Sequence, residues 1–472
     1  MVHAAPPRLN PRTQRAAQSY DVLVSGGGPS GLCAALEAAR SSLRVRVVER
    51  RPDLQSRGGG RFQPVVLDRQ TLVNLANLRV DPKTLRAQPI SRAVFLGPAG
   101  DFEGSVAYPE MSGTLSGPSS STLERLMFRR DLVAVSAIQD VERSLWEQCE
   151  AHPNIEVTFD CVISALRPGP HGVELTLRGG SGEASTCSAR ILAIADGAWS
   201  DVKGAMRLAG GSKESRTRPV DLLACRFDPV GKPGELIVRN TPGDPYQHIV
   251  ALSLPHELVL YLKAPANVDP GDPSAVERVA SEAIRSVGMH ARLSDAPLFF
   301  TQTVRRADSI VLGDRIFVLG DAALSGTAVL GVYLNKAIFD AHAFGQVCAA
   351  DPTRPEELAR AARVFAERHD SAACVQAILE EEVVSSVYNT RSSEALRDPL
   401  SQSLYSLGPR WAFRYKLQRG GLGRATMLNV VDAYATLAYA FGEAARRQSA
   451  PYAFRGFRLA GDLWHRVQQA VE

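Results

Sequence analysis

Three glycines and three acids have the types and spacing to do chemistry in this sequence. Gly26, Gly28 and Gly31 stand in the stretch YDVLVSGGGPSGLCAALEAARSSLRVRVVERRP, which begins at Tyr20, and Glu49 follows eighteen residues after Gly31. Glycines so spaced, followed by an acid, suit a dinucleotide. Gly26 would permit the tight turn after a strand, Gly28 would let backbone approach a pyrophosphate, and Gly31 would let helix and strand pack closely. N–H groups at the helix start would meet the phosphate charge. The carboxylate of Glu49 would accept hydrogen bonds from a ribose diol. The competing reading is a glycine-rich turn in an ordinary α/β domain, and Arg50 and Arg51 either greet a 2′-phosphate or are simply solvated. Asp196 and Asp321 each close an apolar run, in ILAIADGAWSDVK and RIFVLGDAALSGTAVLGVYLNKA. Ligands of parallel sheets sit at carboxyl strand ends, where an acid can hold a polyol hydroxyl. Taken singly, each of these two acids reads as a turn.

These residues need elements to present them. Val22 to Val24 reads as a strand, the small-residue run after it as a helix, and Val45 to Val48 as a second strand, which makes a βαβ unit. Val66, Leu67, Thr71, Leu72, Leu75 and Leu78 suggest a further helix, and Ile138, Val141, Leu145 and Cys149 another. IEVTFDCVISAL reads as one strand, followed by a hairpin of VELTLR and TCSARILAIA. Between residues 205 and 307 the runs DLLACRF, ELIVR, HIVALSL, LVLYLK and LFFTQTV imply a mostly antiparallel sheet. A helix is expected from about Gly331. Beyond Asp351 the pattern is almost all helical, most clearly over 355–388 and 426–447. Residues 112–122 are a polar loop, either disordered or a mobile flap. The basic, aromatic stretch GPRWAFRYKLQRGGLGR is either a solvated face or a docking surface or lid.

The chain of 472 residues is 45% hydrophobic and 22% charged, as a globular protein is, and its net charge of +4 argues for neither nucleic acid nor an acidic membrane surface as partner. Seven cysteines without regular spacing exclude a zinc motif and suit a reducing cytoplasm, so no metal is expected. Residues 1–19 read as a disordered tail. No run of about eighteen apolar residues is present, so no spanning helix is expected.

In combination, a Gly-rich βαβ at the start, Asp196-Gly197 near the middle and Gly320-Asp321 two-thirds along resemble the group A FAD-dependent monooxygenases, the p-hydroxybenzoate-hydroxylase-like flavoproteins. The resemblance covers roughly residues 20 to 345. It implies an α/β fold in which an FAD-binding Rossmann-like domain (20–86, 125–204 and 308–350) is interleaved with a β-sheet substrate domain (87–124 and 205–307), with a C-terminal helical region over 351–472. It implies that Gly26, Gly28, Ser30 and Gly31 cradle the FAD pyrophosphate and that Glu49 holds the adenosine ribose. Arg61 would lie along the cofactor, with Gln139 opening the family's next helix and Val162 presenting its backbone to the adenine. Asp196 belongs to a fingerprint associated with FAD and with reduced nicotinamide. Gly320 and Asp321 would hold the ribityl chain, while Leu334 and Asn335 would offer backbone to the flavin pyrimidine.

Departures from the family pattern cluster in one loop. Leu324 stands where His is usual, Thr327 and Ala328 where a Pro-Pro pair is usual, and Tyr333 replaces a glycine; in the first fingerprint Lys203 replaces an Arg. The implied reaction uses NADPH or NADH to reduce FAD, and a flavin C4a-hydroperoxide then passes one oxygen from O2 to a small organic substrate. Tyr333 either lines the pocket or packs the loop. His248 and Tyr261 either shuttle protons in the substrate region or are plain structural residues. A halogenase on the same architecture lacks its Trp-x-Trp-x-Ile-Pro signature here. An oxidase or reductase, or a flavin-binding interaction protein without catalysis, remain as alternatives.

Overall fold

The computed structural model describes residues 18–53, 64–67, 69–81, 83–96, 102–107, 134–198, 200, 214–240, 248–265, 268–269, 271–307, 309–325, 332–351, 353–367 and 369. In chain order the strands are β1 (Gln18–Ser25), β2 (Val45–Val48), β3 (Pro64–Leu67), β4 (Gln88–Pro89), β5 (Arg92–Leu96), β6 (Phe102–Ala107), β7 (Ala134–Ala137), β8 (Ile155–Thr158), β9 (Cys161–Gly169), β10 (Gly172–Gly179), β11 (Ala184–Ile194), β12 (Glu214–Phe227), β13 (Glu235–Asn240), β14 (His248–Ser253), β15 (Leu258–Lys263), β16 (Leu298–Ala307), β17 (Val311–Leu312), β18 (Ile316–Val318) and β19 (Leu324–Ser325). The described helices are α1 (Pro29–Arg40), α2 (Arg69–Asn77), α3 (Ile138–Glu150), α4 (Pro273–Ser286) and α5 (Val332–Cys348), with a 3-10 turn at Gly320–Ala322 and a further helix over residues 355–367.

Five strands run parallel in the order β18-β11-β1-β2-β8, with β17 antiparallel on one edge and the β9–β10 hairpin branching from β11. Strands of a parallel sheet covered on both faces read as continuous apolar runs. Val22, Leu23 and Val24 of β1, and Ile191 to Ile194 of β11, are fully buried. Helices α1 and α5 pack on each other across the sheet end, and α1 packs α3. Residues Val141, Leu145 and Cys149 of α3 are all buried, as their spacing predicts. Phe317 of β18 meets Phe344 of α5 and Phe365 of the 355–367 helix, edge to face, at centroid distances of 5.5 and 5.4 Å. Such pairs add about 0.5–1.5 kcal/mol each beyond area burial, and here they tie the last described helix to the parallel sheet.

The second sheet has the order β19-β16-β12-β15-β14-β13-β5-β6, antiparallel except where β13 runs parallel to β5. Its side chains alternate with the period of two that a pleated strand imposes. Leu258, Leu260 and Leu262 of β15 face α4, whose Val276, Val279, Ala280, Ala283 and Ile284 cover them. Val259 and Tyr261 face the other way, into a layer with Ile90, just after β4, and with Val135 and Val66 from the small sheet β3-β7-β4.

Several expectations change. Val66 and Leu67 belong to strand β3, not to a helix, because β3 finds a partner in β7, far along the chain. IEVTFDCVISAL is two strands: Asp160 takes φ +51°, which breaks the run and turns β9 out of the parallel sheet. β1 starts at Gln18, so Gln18 and Ser19 pair with Cys187 and Ser188 instead of belonging to the tail. Gln88 and Pro89 pair with β7 in the small three-stranded sheet rather than in the second sheet. The 205–307 region holds a full helix, α4: Asp272 accepts from the N–H groups of Ser274 and Ala275 at 3.0 and 3.3 Å, and Pro273 takes the first turn. Residues 112–122, the basic aromatic stretch and the helix expected over 426–447 lie outside the described residues, as does 355–388 beyond His369.

Candidate functional site

The carboxyl ends of the five parallel strands form one continuous hydrogen-bonded edge. Glu49 N donates to Thr158 O at 2.9 Å, Gly26 N to Val48 O at 2.8 Å, Ala195 N to Ser25 O at 2.8 Å and Leu319 N to Ile194 O at 2.9 Å. This ladder brings Gly26, Glu49, Asp196 and Gly320 to the same edge, although they are spread over nearly three hundred residues.

Close packing fixes how they meet. Gly26 adopts φ +105°, and a Cβ there would run into the carbonyl of Ala195 and lie 2.8 Å from the Cα of Asp196. The first and second motifs are therefore in backbone contact. A Cβ on Gly31 would run into the Gly26 carbonyl oxygen, so α1 starts hard against β1. At Gly320, with φ +58°, a Cβ would lie 2.7 Å from Ser30 Oγ and 3.2 Å from Ala337 Cβ. The third motif thus packs on the first turn of α1. Ser30 is buried, and its hydroxyl donates to Ala337 O at 3.4 Å.

Gly28 is different. It is the N-cap of α1, with φ −78° and ψ 176°, and a Cβ there would meet nothing within 4 Å among the described residues. No side chain caps this helix start and its first turn carries no acid. The edge therefore offers an open space in front of uncapped N–H groups and a positive dipole end, the donor set an anionic pyrophosphate requires. These residues fit the pyrophosphate of a dinucleotide.

Glu49 is 6% exposed, and its Oε2 accepts from Gly27 N at 2.6 Å. Oε1 accepts from Arg51 N at 2.9 Å and from Arg51 Nε at 3.1 Å. Burial raises the carboxyl pKa, but the Arg51 guanidinium and the backbone N–H groups outweigh it and hold Glu49 below its usual value. Arg51 also donates to Glu142 Oε1 of α3 at 2.6 Å and to Gly27 O at 3.1 Å. It is a clamp between β2, α1 and α3, not a solvated side chain. Since the folded pKa of Glu49 is depressed, the stability it contributes is fully present above its unfolded pKa of about 4.3 and is lost as pH falls through the lower folded value. The acid limbs of the unfolding profiles of wild type and Glu49→Gln should converge below about pH 4. A constant gap down to about pH 2 would contradict this.

Val162 follows Cys161, whose N–H donates to Glu49 O at 3.0 Å, so the structure brings Val162 beside Glu49. Gln139 lies in the first turn of α3, which also supplies Glu142. Asp196 is half-buried and Asp321 is exposed in the 3-10 turn. Leu334 is buried, and Asn335 Nδ2 donates to Val66 O at 2.9 Å, linking α5 to β3. Tyr261 points from β15 toward that same layer, but its hydroxyl is buried without a hydrogen-bond partner among the described residues, and burial pushes its pKa far up. A phenol held so does not release its proton near neutral pH. His248 opens β14 and Tyr333 lies in the first turn of α5; both are placed as backbone positions only. Arg61, Lys203, Thr327, Ala328 and Gly331 lie outside the described residues. Sequence reasoning missed the Arg51–Glu142 link and the buried Lys336–Asp340 pair, at 2.5 Å. Lys336 and Asp340 stand four apart on α5, a helical spacing visible in the sequence, yet nothing local marks them as buried.

Among the described residues no three His, Cys, Asp or Glu side chains come together as a metal site, and no helix is long and apolar enough to cross a membrane. The described cysteines are all free and buried.

A family model described as an FAD binding domain matches residues 19–372. A curated relative, digeranylgeranylglycerophospholipid reductase of Thermoplasma volcanium, is 34% identical over 122 residues, which is 25% of this chain and 28% of that protein. The chain thus spans little more than a quarter of the curated relative it matches. Among solved structures, p-nitrophenol 4-monooxygenase PnpA from Pseudomonas putida DLL-E4 superposes with a TM-score of 0.65 at 16% identity, covering 89% of this chain and 98% of that one. A ternary complex of aklavinone-11 hydroxylase with FAD and aklavinone superposes with a TM-score of 0.56 at 20% identity, covering 80% and 70%. The interleaved architecture of a parallel cofactor sheet and a second, mostly antiparallel sheet is the fold of these flavoproteins.

Proposed function

We propose, for a chain that belongs to the FAD binding domain family, that it is a flavoprotein monooxygenase, reduced by NADPH or NADH, that places one oxygen atom from O2 on a small electron-rich organic substrate. The observation that carries this reading is the meeting of the three motifs at one strand edge, around the open space at Gly28. FAD, when bound, supplies the electron transfer and the oxygen activation. The protein's part is to bind, orient and keep water out.

On this reading Gly26 and Gly31 shape the turn, and the N–H groups around Gly28, Ser30 and Gly31 receive the pyrophosphate. Glu49, kept ionised by Arg51, accepts from the adenosine ribose, whose hydroxyls take the place of one of the contacts that Arg51 makes to its two oxygens. Val162 and Gln139 flank the adenosine half, and Arg61 lies along the cofactor. Gly320 and Asp321 hold the ribityl chain, Asp196 belongs to the same edge, and the backbone at Leu334 and Asn335 faces the flavin pyrimidine. The substrate lies between that end and the second sheet, where the apolar layer around Tyr261 and Val66 excludes the water that would discharge an activated oxygen. The similar structures include a p-nitrophenol 4-monooxygenase and an aklavinone-11 hydroxylase with aklavinone bound, which favours an aromatic substrate class here.

Purified protein tests the reading. It should carry an FAD spectrum and oxidise NADPH or NADH with equimolar O2 uptake in the presence of a suitable phenol. Asp321→Ala should weaken FAD binding roughly 10- to 100-fold, the worth of a hydrogen bond to a charged group. Wild-type FAD content and reduction rate in that variant would sink the assignment of Asp321. A second reading, a flavin-dependent reductase, is favoured by the archaeal reductase match and by Leu324, Thr327, Ala328 and Tyr333 at family-atypical positions. Turnover of an unsaturated acceptor under anaerobic conditions, with no O2-dependent product, would decide for it.

A further inference from the structure

Asp340 has a place in the site that its exposure hides. It is 1% exposed on α5, and its Oδ2 accepts both the Gly320 N–H at 3.0 Å and Lys336 Nζ at 2.5 Å. Its Oδ1 meets His369 Nδ1, two residues beyond the 355–367 helix, at 3.2 Å. Lys336 and His369 are buried too. Burial alone would raise the Asp340 carboxyl; the opposite charge of Lys336 and the contact with His369 hold it below its usual value. The other acids nearby are Asp321, in the adjoining turn, and Glu37 of α1, which is already paired with Arg40 and His342.

What Asp340 grips is the residue directly before Asp321. Gly320 is also the residue that abuts Ser30 at the start of α1. One carboxylate therefore sets the orientation of the peptide between the two halves of the cofactor edge. A buried carboxylate beside a site for an anionic pyrophosphate would repel it unless a cation matched the charge. Lys336, one helical turn earlier, is that cation.

We propose that Asp340 is a positioning residue that fixes the Gly320–Asp321 turn against the start of α1, and that Lys336 is the counter-charge that lets this buried carboxylate coexist with the pyrophosphate of FAD. The proposal rests on the reading that this edge holds FAD. His369 extends the same network to the last described stretch of helix.

The test is FAD titration of full-length apoprotein between about pH 6 and pH 9, a range in which an uncompensated buried carboxyl titrates, with thermal melts of the same apoproteins. Lys336→Met should weaken FAD binding about tenfold or more at the alkaline end, the equivalent of about one pKa unit of interaction. Its affinity should recover toward acid pH, more steeply than in wild type, as the Asp340–His369 pair takes up a proton. Asp340→Asn keeps an acceptor for Gly320 but leaves Lys336 unmatched. The double variant Lys336→Met/Asp340→Asn is neutral, keeps that acceptor, and should return to within about threefold of wild type, the non-additivity expected of coupled charges. Wild-type affinity and pH profile in Lys336→Met would overturn the proposal, as would a double variant no better than either single one. A fall in apoprotein melting temperature with unchanged FAD affinity would do the same, since it reveals a purely structural pair. Wild type that retains no FAD would remove the FAD reading itself, whereas normal wild-type binding with any of the other adverse results removes only the role of Asp340 and Lys336.

Discussion

Gly28→Ala should yield an apoprotein that melts like wild type yet binds FAD about 100-fold more weakly or worse. The backbone at Gly28 is extended, with φ −78°, and no atom of the described residues lies within 4 Å of the position a Cβ would take, so the methyl group strains none of them. Its effect falls wholly on what enters that space. Overpacking by a methyl costs about 1–3 kcal/mol, and each charge-assisted hydrogen bond that a displaced pyrophosphate loses costs about 1.5–3 kcal/mol. Fluorescence titration of FAD against the refolded or deflavinated variant, beside a thermal melt, separates the two quantities. An affinity within threefold of wild type would mean that the pyrophosphate does not pass Gly28.

Gly31→Ala should do the reverse and damage the fold before any cofactor is added. The new methyl would clash with the Gly26 carbonyl oxygen, with Val24 Cγ1 at 3.2 Å on another side. α1 cannot shift to relieve this, because every residue from Pro29 to Ala39 is buried, and β1 is held on both sides by β2 and β11. Destabilisation of about 3 kcal/mol or more is expected, at the upper end of single substitutions. Loss of soluble protein or a clear fall in the apoprotein melting temperature would show it; an unchanged melt would mean that α1 has room the structure does not reveal. Two glycines three residues apart thus predict opposite phenotypes, one in binding and one in stability.

Legibility in the sequence followed locality. The spacing of Ile138, Val141, Leu145 and Cys149 declares α3 because helical packing repeats within a few residues, and Asp196 and Asp321 were visible as acids at the ends of apolar runs. The Pro64–Leu67 strand was not, because an apolar run ahead of a helix reads as more helix until its partner β7 is known. α4 carried its own signals, Asp272 before Pro273 and apolar residues at helical spacing, and was obscured only by the strands around it. Arg51 looked like a surface charge since its second partner, Glu142, lies ninety-one residues away. The Lys336–Asp340–His369 network depends on burial, which no local pattern reports.

The strand order β18-β11-β1-β2-β8 bears on how the molecule is made. β1 is the first strand of the set to leave the ribosome and takes the central place in its sheet. One neighbour, β2, arrives at once, but the other, β11, arrives only after the segments that build β5 and β6 of the second sheet, and β18 only after β12 to β16 of that sheet. Such sequence-distant pairing folds slowly and leaves strand edges open to wrong partners in the meantime. The turn at Gly320 closes the cofactor edge last. FAD therefore meets a chain of which at least two-thirds has been made, and its supply in the cell should govern how much of this protein escapes aggregation during synthesis.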